Sequence, residues 1–223
     1  SINDVHFIRH EVYARDLGFE PVREDCRESD AYDRHSVHCL VRTIQTPPRL
    51  AGCARLIMTD PNNPDALLPF EKHCGATLDR SIVDPTRLPR HAVGEISRLA
   101  VMSTFRRRKG EQSSAAPISD VDFGSEEQPR FPYIPVGLYW AIVHMALHHK
   151  VEYLFTLTEP RLAEHFAKLG VPITQIGPAV ELRGQRVPSL IRASKVYDGL
   201  RALMRPLWHA IHEQMDEGYA AAR

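Results

Sequence analysis

What the chain lacks narrows its class. It has no net charge, since 28 Lys and Arg are matched by 28 Asp and Glu, so no whole-chain field draws it to nucleic acid or to an anionic membrane. It has only four cysteines, Cys26, Cys39, Cys53 and Cys74, and no Cys-x-x-Cys pair, which argues against a zinc knuckle or a redox dithiol and leaves reduced structural thiols. Its apolar runs fall far short of the roughly 20 residues a membrane span needs, and its start lacks the apolar core of a signal peptide. A soluble, cytoplasmic chain without membrane insertion is expected. Twelve histidines are present but no His-Glu-x-x-His. His35 and His38 lie far from His144, His148 and His149, and no acidic residue flanks the latter in ligand register. Packing or surface roles are expected for them, and no metal.

At 223 residues the chain suits one domain spanning 1–223 with ample core. From Asp4 to about Leu17, Val5, Ile8, Val12 and Tyr13 recur at helical spacing behind an Asn3 or Asp4 cap, predicting an amphipathic helix. After a charged stretch from Arg23 to Arg34, Val37–Ile44 and Leu50–Met58 flank Pro47-Pro48 and read as a β-hairpin. A short helix, Leu68 to Cys74, follows in irregular, proline-bearing chain. Residues 109–132 are rich in Ser, Asp, Glu and Pro without periodicity, predicting a mobile loop or lid.

Tyr133 to His149 reads as a buried helix feeding a strand, Val151 to Leu157. Pro160 to Leu169 is a helix stopped by Gly170. Short strands are expected at 171–177, 180–182 and 188–193 around an Arg183-Gly184 turn. An amphipathic C-terminal helix from Lys195 follows, kinked or broken at Pro206. The order predicts a mixed α/β domain with a central, largely antiparallel sheet flanked by helices.

One segment stands out chemically. Gly94-Glu95-Ile96-Ser97-Arg98-Leu99-Ala100-Val101 sets an acid and a base into an apolar, β-rich run, and a charge that costs desolvation usually has a task. Strand alternation would put Glu95 and Ser97 on one face and Ile96, Arg98 and Ala100 on the other. Glu95 and Arg98 therefore need a bulge or twist before they can meet. The alternative is a purely structural ion pair.

Four motifs, in order, resemble the acyl-homoserine-lactone (autoinducer) synthases and their relatives the N-acyl amino acid synthases, on the GNAT acyltransferase fold. They are Arg9-x-x-Val12-Tyr13, Glu28-x-Asp30-x-x-Asp33, Gly52-x-x-Arg55-Leu56 and Glu95-x-x-Arg98. Closer still is the resemblance to the PEP-CTERM/exosortase system-associated acyltransferases, in which Ser-Arg-Leu-Ala-Val runs into an arginine cluster, here Ser97–Val101 and then Phe105-Arg106-Arg107-Arg108. Two departures stand beside it. Phe166 occupies the place where many acetyltransferases keep a tyrosine to protonate the leaving thiolate. The pyrophosphate loop, Arg107-Arg108-Lys109-Gly110-Glu111, offers one glycine. The resemblance thus implies an acyl-phosphopantetheine thioester on an acyl carrier protein as donor, rather than coenzyme A.

Acyl transfer to an amine needs the amine neutral, the carbonyl polarised and the chain in an apolar slot. Glu95 is the candidate base if burial raises its pKa, with Arg98 holding a carboxylate or locking Glu95. Asp30 and Asp33 could face one way and offer negative charge to an amine, or simply cap a surface loop. The resemblance makes Arg9, Glu28, Asp30, Asp33 and Arg55 a network on the acceptor side, and gives the backbone N–H groups of Leu99 and Val101 to the pantetheine. The basic run Arg106, Arg107, Arg108 and Lys109 is either a solvated face or a grip on the pantetheine phosphate and the acidic carrier protein. Four such residues in a neutral chain without a recognition motif do not suggest nucleic acid.

The leading expectation is an N-acyltransferase moving a long-chain fatty acyl group onto the amine of an amino acid or similar small molecule. The alternatives are a homoserine-lactone synthase using S-adenosylmethionine, although only Tyr32 supplies an aromatic between residues 20 and 34, and a non-catalytic acyl- or carrier-binding module.

Overall fold

The structure, a computed structural model, describes residues 1–106 and 133–221. The expected 109–132 loop lies outside the described residues, as do Arg107, Arg108 and Lys109.

Among the described residues seven strands form one open sheet: β1 (Ser36–Arg42), β2 (Leu50–Met58), β3 (Val93–Val101), β4 (Tyr153–Thr158), β5 (Ile173–Gln175), β6 (Val180–Glu181) and β7 (Gln185–Arg192). The order is β1-β2-β3-β4-β7-β5, with β6 beside β7. Every pair is antiparallel except β3 and β4. That parallel pair needs a crossover, supplied by α3 (Tyr133–His148), as parallel neighbours require. The mixed, mostly antiparallel α/β architecture read from the sequence is the one observed.

The two faces are covered differently. On one lie α1 (Ile2–Arg9), packing Val5 and Ile8 on Cys53 and Ala100, and α2 (Pro69–Cys74), packing Phe70 and Cys74 on Ile57, Val93 and Phe155. On the other lie α3, α4 (Pro160–Lys168) and the C-terminal α6 (Arg205–Ala221), whose Trp208 meets Trp140 at 5.7 Å. α3 is buried nearly all round, as its unbroken apolar composition requires.

Boundaries differ from the sequence reading in two instructive places. The first helix is capped by Ser1 rather than Asn3 or Asp4, and it widens to π-helical geometry over His10–Asp16. Near the C-terminus the break falls before Pro206. A short α5 (Val196–Gly199) and a 3-10 turn at Ala202–Met204 precede α6, and Pro206 sits in the first turn of α6, where a missing N–H costs nothing. The Arg183-Gly184 turn forms as expected, with φ of 56° and 90°, joining β6 to β7.

Gly170 ends α4 at φ 91°, and a Cβ there would stand 2.1 Å from the Gly199 carbonyl oxygen. Gly170→Ala is expected to cost roughly 1–3 kcal/mol, from the left-handed backbone and the clash together. An unchanged thermal midpoint would show that this corner can rearrange freely.

Candidate active site

β3 answers the question that its sequence poses. Between Cys53/Ala100 and Arg55/Ser97 the β2–β3 register slips, and Arg98 is left-handed at φ 53°. Two steps along β2 thus oppose three along β3: a bulge with one extra residue. Its effect on side-chain direction is simple. Glu95, Ser97, Arg98 and Ala100 all serve the α1/α2 side, while Ile96, Leu99 and Val101 pack with α3. A left-handed arginine costs on the order of 1–3 kcal/mol, and it delivers a cation to a face that simple alternation denies it.

The cation does not go to Glu95. Arg98 donates to Glu28 at 3.0 Å, Glu20 at 3.1 Å and Asp30 at 3.3 Å, with its guanidinium 5.3 Å from the centre of the Tyr13 ring. The expected locking of Glu95 by Arg98 is therefore corrected: Arg98 belongs to the acidic network, because the bulge turns it toward the segment carrying Glu20 and Glu28.

That network joins all five residues expected on the acceptor side. Arg9, fully buried, donates to Glu28 and, at 2.7 Å, to Asp33. Arg55 donates to Asp30 and Asp33, both at 2.7 Å, and to the Ser97 hydroxyl at 2.9 Å. Asp30 caps the 3-10 turn Ala31–His35, accepting from the Tyr32 N–H, while Asp33 accepts from the Asp30 N–H at 2.9 Å. The three-residue spacing of the two aspartates thus becomes a tight, one-sided pair. Burial works to raise the carboxyl of Glu28, but hydrogen bonds from Arg9 and Arg98 hold it down to about 2. Asp33 is likewise held well below the usual carboxylate range: its burial is overcome by Arg9, the Asp30 N–H and Arg55.

Glu95 is in the opposite condition. It is 3% exposed and its carboxylate has one hydrogen bond, from the Phe70 N–H at 2.8 Å. The stacked rings of Phe70 and Phe155, 4.2 Å apart, lie beside it. Burial pushes its carboxyl up to about 8, more than the Phe70 N–H and the charges of Arg55 and Arg98 pull it down. A carboxyl poised there can take a proton near neutrality and return it.

β3 and β4 pair from Val93/Tyr153 to Ile96/Thr156 and no further, although both strands continue. The parting opens a cavity of about 390 Å³ through the sheet. Glu95, Asp30, Arg55 and Arg98 line it from the α1/α2 side, and Leu99, Tyr139, Leu162 and Phe166 from the α3/α4 side. Leu99 and Val101 follow the parting, on the stretch of β3 that β4 does not pair. Leu99 also accepts the Tyr13 hydroxyl at 2.9 Å.

Several lining residues gave no sequence signal. Glu20 bridges Arg98 and, at 2.8 Å, Arg183, and Tyr13 is legible as part of a helical stripe and of the Arg9-x-x-Val12-Tyr13 motif but not as a cavity residue. Arg183 was legible as a turn former but not as a cavity residue, since 163 positions separate it from Glu20. Arg106, the described member of the basic run, pairs with Asp16. Among the described residues no group of His, Cys, Asp and Glu could hold a metal ion. His144 meets Asp216 at 3.1 Å, and His148 stacks on Tyr219. No described helix is long and apolar enough to cross a membrane, and all four cysteines are free.

A model of the acetyltransferase (GNAT) domain matches residues 8–115, from α1 past the bulged strand. Solved structures share the fold. TofI, in a ternary complex with an inhibitor and MTA, is 21% identical with a TM-score of 0.58, over 86% of this chain and 84% of that one. BjaI, a CoA-dependent acyl-homoserine lactone synthase with SAM and isopentyl-CoA, is 17% identical with a TM-score of 0.57, over 96% and 82%. The AHL synthase LasI is 18% identical with a TM-score of 0.54, over 90% and 89%. No curated protein matches the chain. The matched stretch and the fold give the chain the architecture of the acetyltransferase (GNAT) domain. In architecture it is similar to acyl-homoserine-lactone synthases.

Proposed function

We propose that the chain, as one catalytic unit over 1–223, is an N-acyltransferase moving a long-chain fatty acyl group from an acyl carrier protein thioester to the amine of an amino acid or similar small molecule. The observation that carries the reading is the placement of Glu95: a raised carboxyl in a cavity that crosses the sheet, with fixed charges on one side and an apolar wall on the other. An amine arrives as an ammonium and must lose a proton before it attacks. Glu95 takes that proton, directly or through a water. The network of Arg9, Glu28, Asp30, Asp33, Arg55 and Arg98 holds the acceptor-side carboxylates in place, and of these Asp30 is the more exposed and faces the cavity. The unpaired stretch of β3 offers backbone groups at Leu99 and Val101 to the pantetheine amides, and the apolar wall receives the acyl chain.

In the sequence Arg106, Arg107, Arg108 and Lys109 come soon after this strand, and their charge suits the phosphate of the phosphopantetheine arm and an acidic carrier protein. The run from Ser97 into these arginines supports a place beside the PEP-CTERM/exosortase system-associated acyltransferases. A carrier-protein donor would place the reaction in the cytoplasm. A second acceptor is favoured by one observation: Tyr13, Phe19 and Tyr32 line the cavity near Asp30, an aromatic setting suited to the cationic amine of S-adenosylmethionine, as in a homoserine-lactone synthase.

The test is direct. Long-chain acyl carrier protein and acyl-CoA are each incubated with the protein, a panel of amino acids and S-adenosylmethionine, and products are read by mass spectrometry. An acyl amide from the carrier-protein donor is expected. An acyl-homoserine lactone would move the acceptor to S-adenosylmethionine, and no product from any pair would leave only a binding module. Replacing Arg107, Arg108 and Lys109 by Glu is expected to raise KM for the carrier-protein donor roughly tenfold or more at low salt, and less at high salt. A KM indifferent to both changes would confine those residues to a solvated face.

A further inference from the structure

An amine that carries a carboxylate brings a second charge into the cavity, and a carboxylate leaving water needs a counter-charge and hydrogen-bond donors where it comes to rest. Four of the described arginines line the cavity: Arg55, Arg98, Arg183 and Arg186. Three are already matched. Arg55 reaches Asp30 and Asp33 at 2.7 Å, Arg98 reaches Glu28 at 3.0 Å, and Arg183 reaches Glu20 at 2.8 Å.

Arg186 is matched far less well. It donates to two main-chain carbonyls, those of Arg183 at 2.9 Å and Gln185 at 3.1 Å, and the carboxylate of Glu159 stands 3.5 Å away, beyond the roughly 2.7–2.9 Å of a charge-assisted bond. The carbonyls use two of a guanidinium's five N–H groups and cancel none of its charge. The side chain is 16% exposed, covered but not sealed. Register settles its direction. Arg186 stands opposite Val180 on β6 and four residues along β7 from Leu190, and both of these pack with the cluster of Phe70 and Phe155. The strand period therefore turns Arg186 to the α1/α2 side, the side of Glu95 and Asp30. The carbonyl bonds fix the guanidinium before any ligand arrives, and Arg183 ties the same turn to Glu20.

We propose that Arg186 selects the acceptor by holding a carboxylate of the amine substrate, so that the acceptors are amino acids with a free carboxylate rather than simple amines, amides or esters. The inference rests on the acyltransfer reading given above. The planar fork of Arg186 takes the carboxylate with the N–H groups that the turn leaves over, and the amine is thereby directed toward Glu95, which removes its proton. No bond is made or broken at Arg186. Its part is selection and placement, and a bound carboxylate supplies at close range the counter-charge that Glu159 supplies only from 3.5 Å.

Paired acceptors read this directly. The unaltered protein and Arg186→Gln are assayed, with the carrier-protein or coenzyme A thioester that serves as donor, against free amino acids and their primary amides. Arg186→Gln is expected to lower kcat/KM for the amino acids roughly 10- to 100-fold, mostly through KM, and for the amides by less than about threefold. Acid and amide differ in amine basicity, but that difference is common to both proteins and cancels in the comparison. Arg186→Lys, which keeps the charge and loses the fork, should fall between the two. Equal losses on acids and amides, or no loss on the acids, would overturn the assignment, because a turn that has merely loosened does not sense the carboxylate. Transfer by the unaltered protein to the amides alone would also overturn it and leave the acyltransfer reading standing. Transfer to neither would overturn that reading, and the assignment with it.

Discussion

Glu95→Gln is expected to lower kcat for amide formation by roughly 100- to 10,000-fold, the range that loss of a general base commonly costs. Affinity for the acyl donor should change little, since Gln keeps the shape and can still accept from the Phe70 N–H. The unaltered enzyme should gain activity as pH rises, with a midpoint near the value of about 8 to which burial pushes Glu95, because only the ionised form takes a proton. The variant should lose that dependence. A rate that survives the substitution, or a profile flat through this window, would remove Glu95 as base.

The same residue ties activity to stability with a definite sign. Its ordinary pKa is 4.5 and its native one about 8, so between these limits the native state keeps a proton that the unfolded chain has released. Stability is therefore lost as pH rises through that window. Glu95→Gln removes this slope, so the variant should be less sensitive than the unaltered protein to a rise from about pH 5 to about pH 9 in urea denaturation. A less active but relatively more alkali-stable protein is what a functional, desolvated carboxyl predicts.

Arg9→Met should carry the largest stability loss. Arg9 is fully buried between Glu28 and Asp33, and removing it leaves buried carboxylates short of a counter-charge, at roughly 3–5 kcal/mol. Denaturant midpoints would measure it, and a loss under about 1 kcal/mol would mean that Arg55 and Arg98 suffice alone. The acid limb supplies an independent check. Glu28 is held down to about 2 against an ordinary 4.5, so its contribution is present above 4.5 and is lost as pH falls toward 2. In Arg9→Met that acid-induced loss should be shallower, since the unaltered protein has more to lose.

The sequence was most readable where local periodicity and packing agree. α3 is apolar on every side and is buried on every side. The β1–β2 hairpin forms from the two apolar segments that flank Pro47-Pro48, and Arg183-Gly184 turns with both residues left-handed. Cysteine spacing pointed to reduced structural thiols, and all four are free, with Cys39, Cys53 and Cys74 buried and Cys26 partly exposed. The motif residues Arg9, Glu28, Asp30, Asp33 and Arg55 were legible as types at spacings, and the structure joins them in one network.

Glu95 and Arg98 show where reading along the chain stops. The sequence by itself determined that an acid and a base stand three residues apart in a strand, and that strict alternation would set them on opposite faces. Tertiary structure decided the outcome. One extra residue in β3 turned Arg98 toward Glu28, and the packing of Phe70 and Phe155 beside Glu95 buried its carboxyl. Register and strand parting depend on contacts between distant segments, α1 and the Glu20–Asp33 stretch on one face and α3 and α4 on the other. No local pattern encodes them. The raised Glu95 carboxyl and the bridge from Glu20 to Arg183 follow from that assembly, because desolvation and charge pairing depend on what surrounds a residue in space.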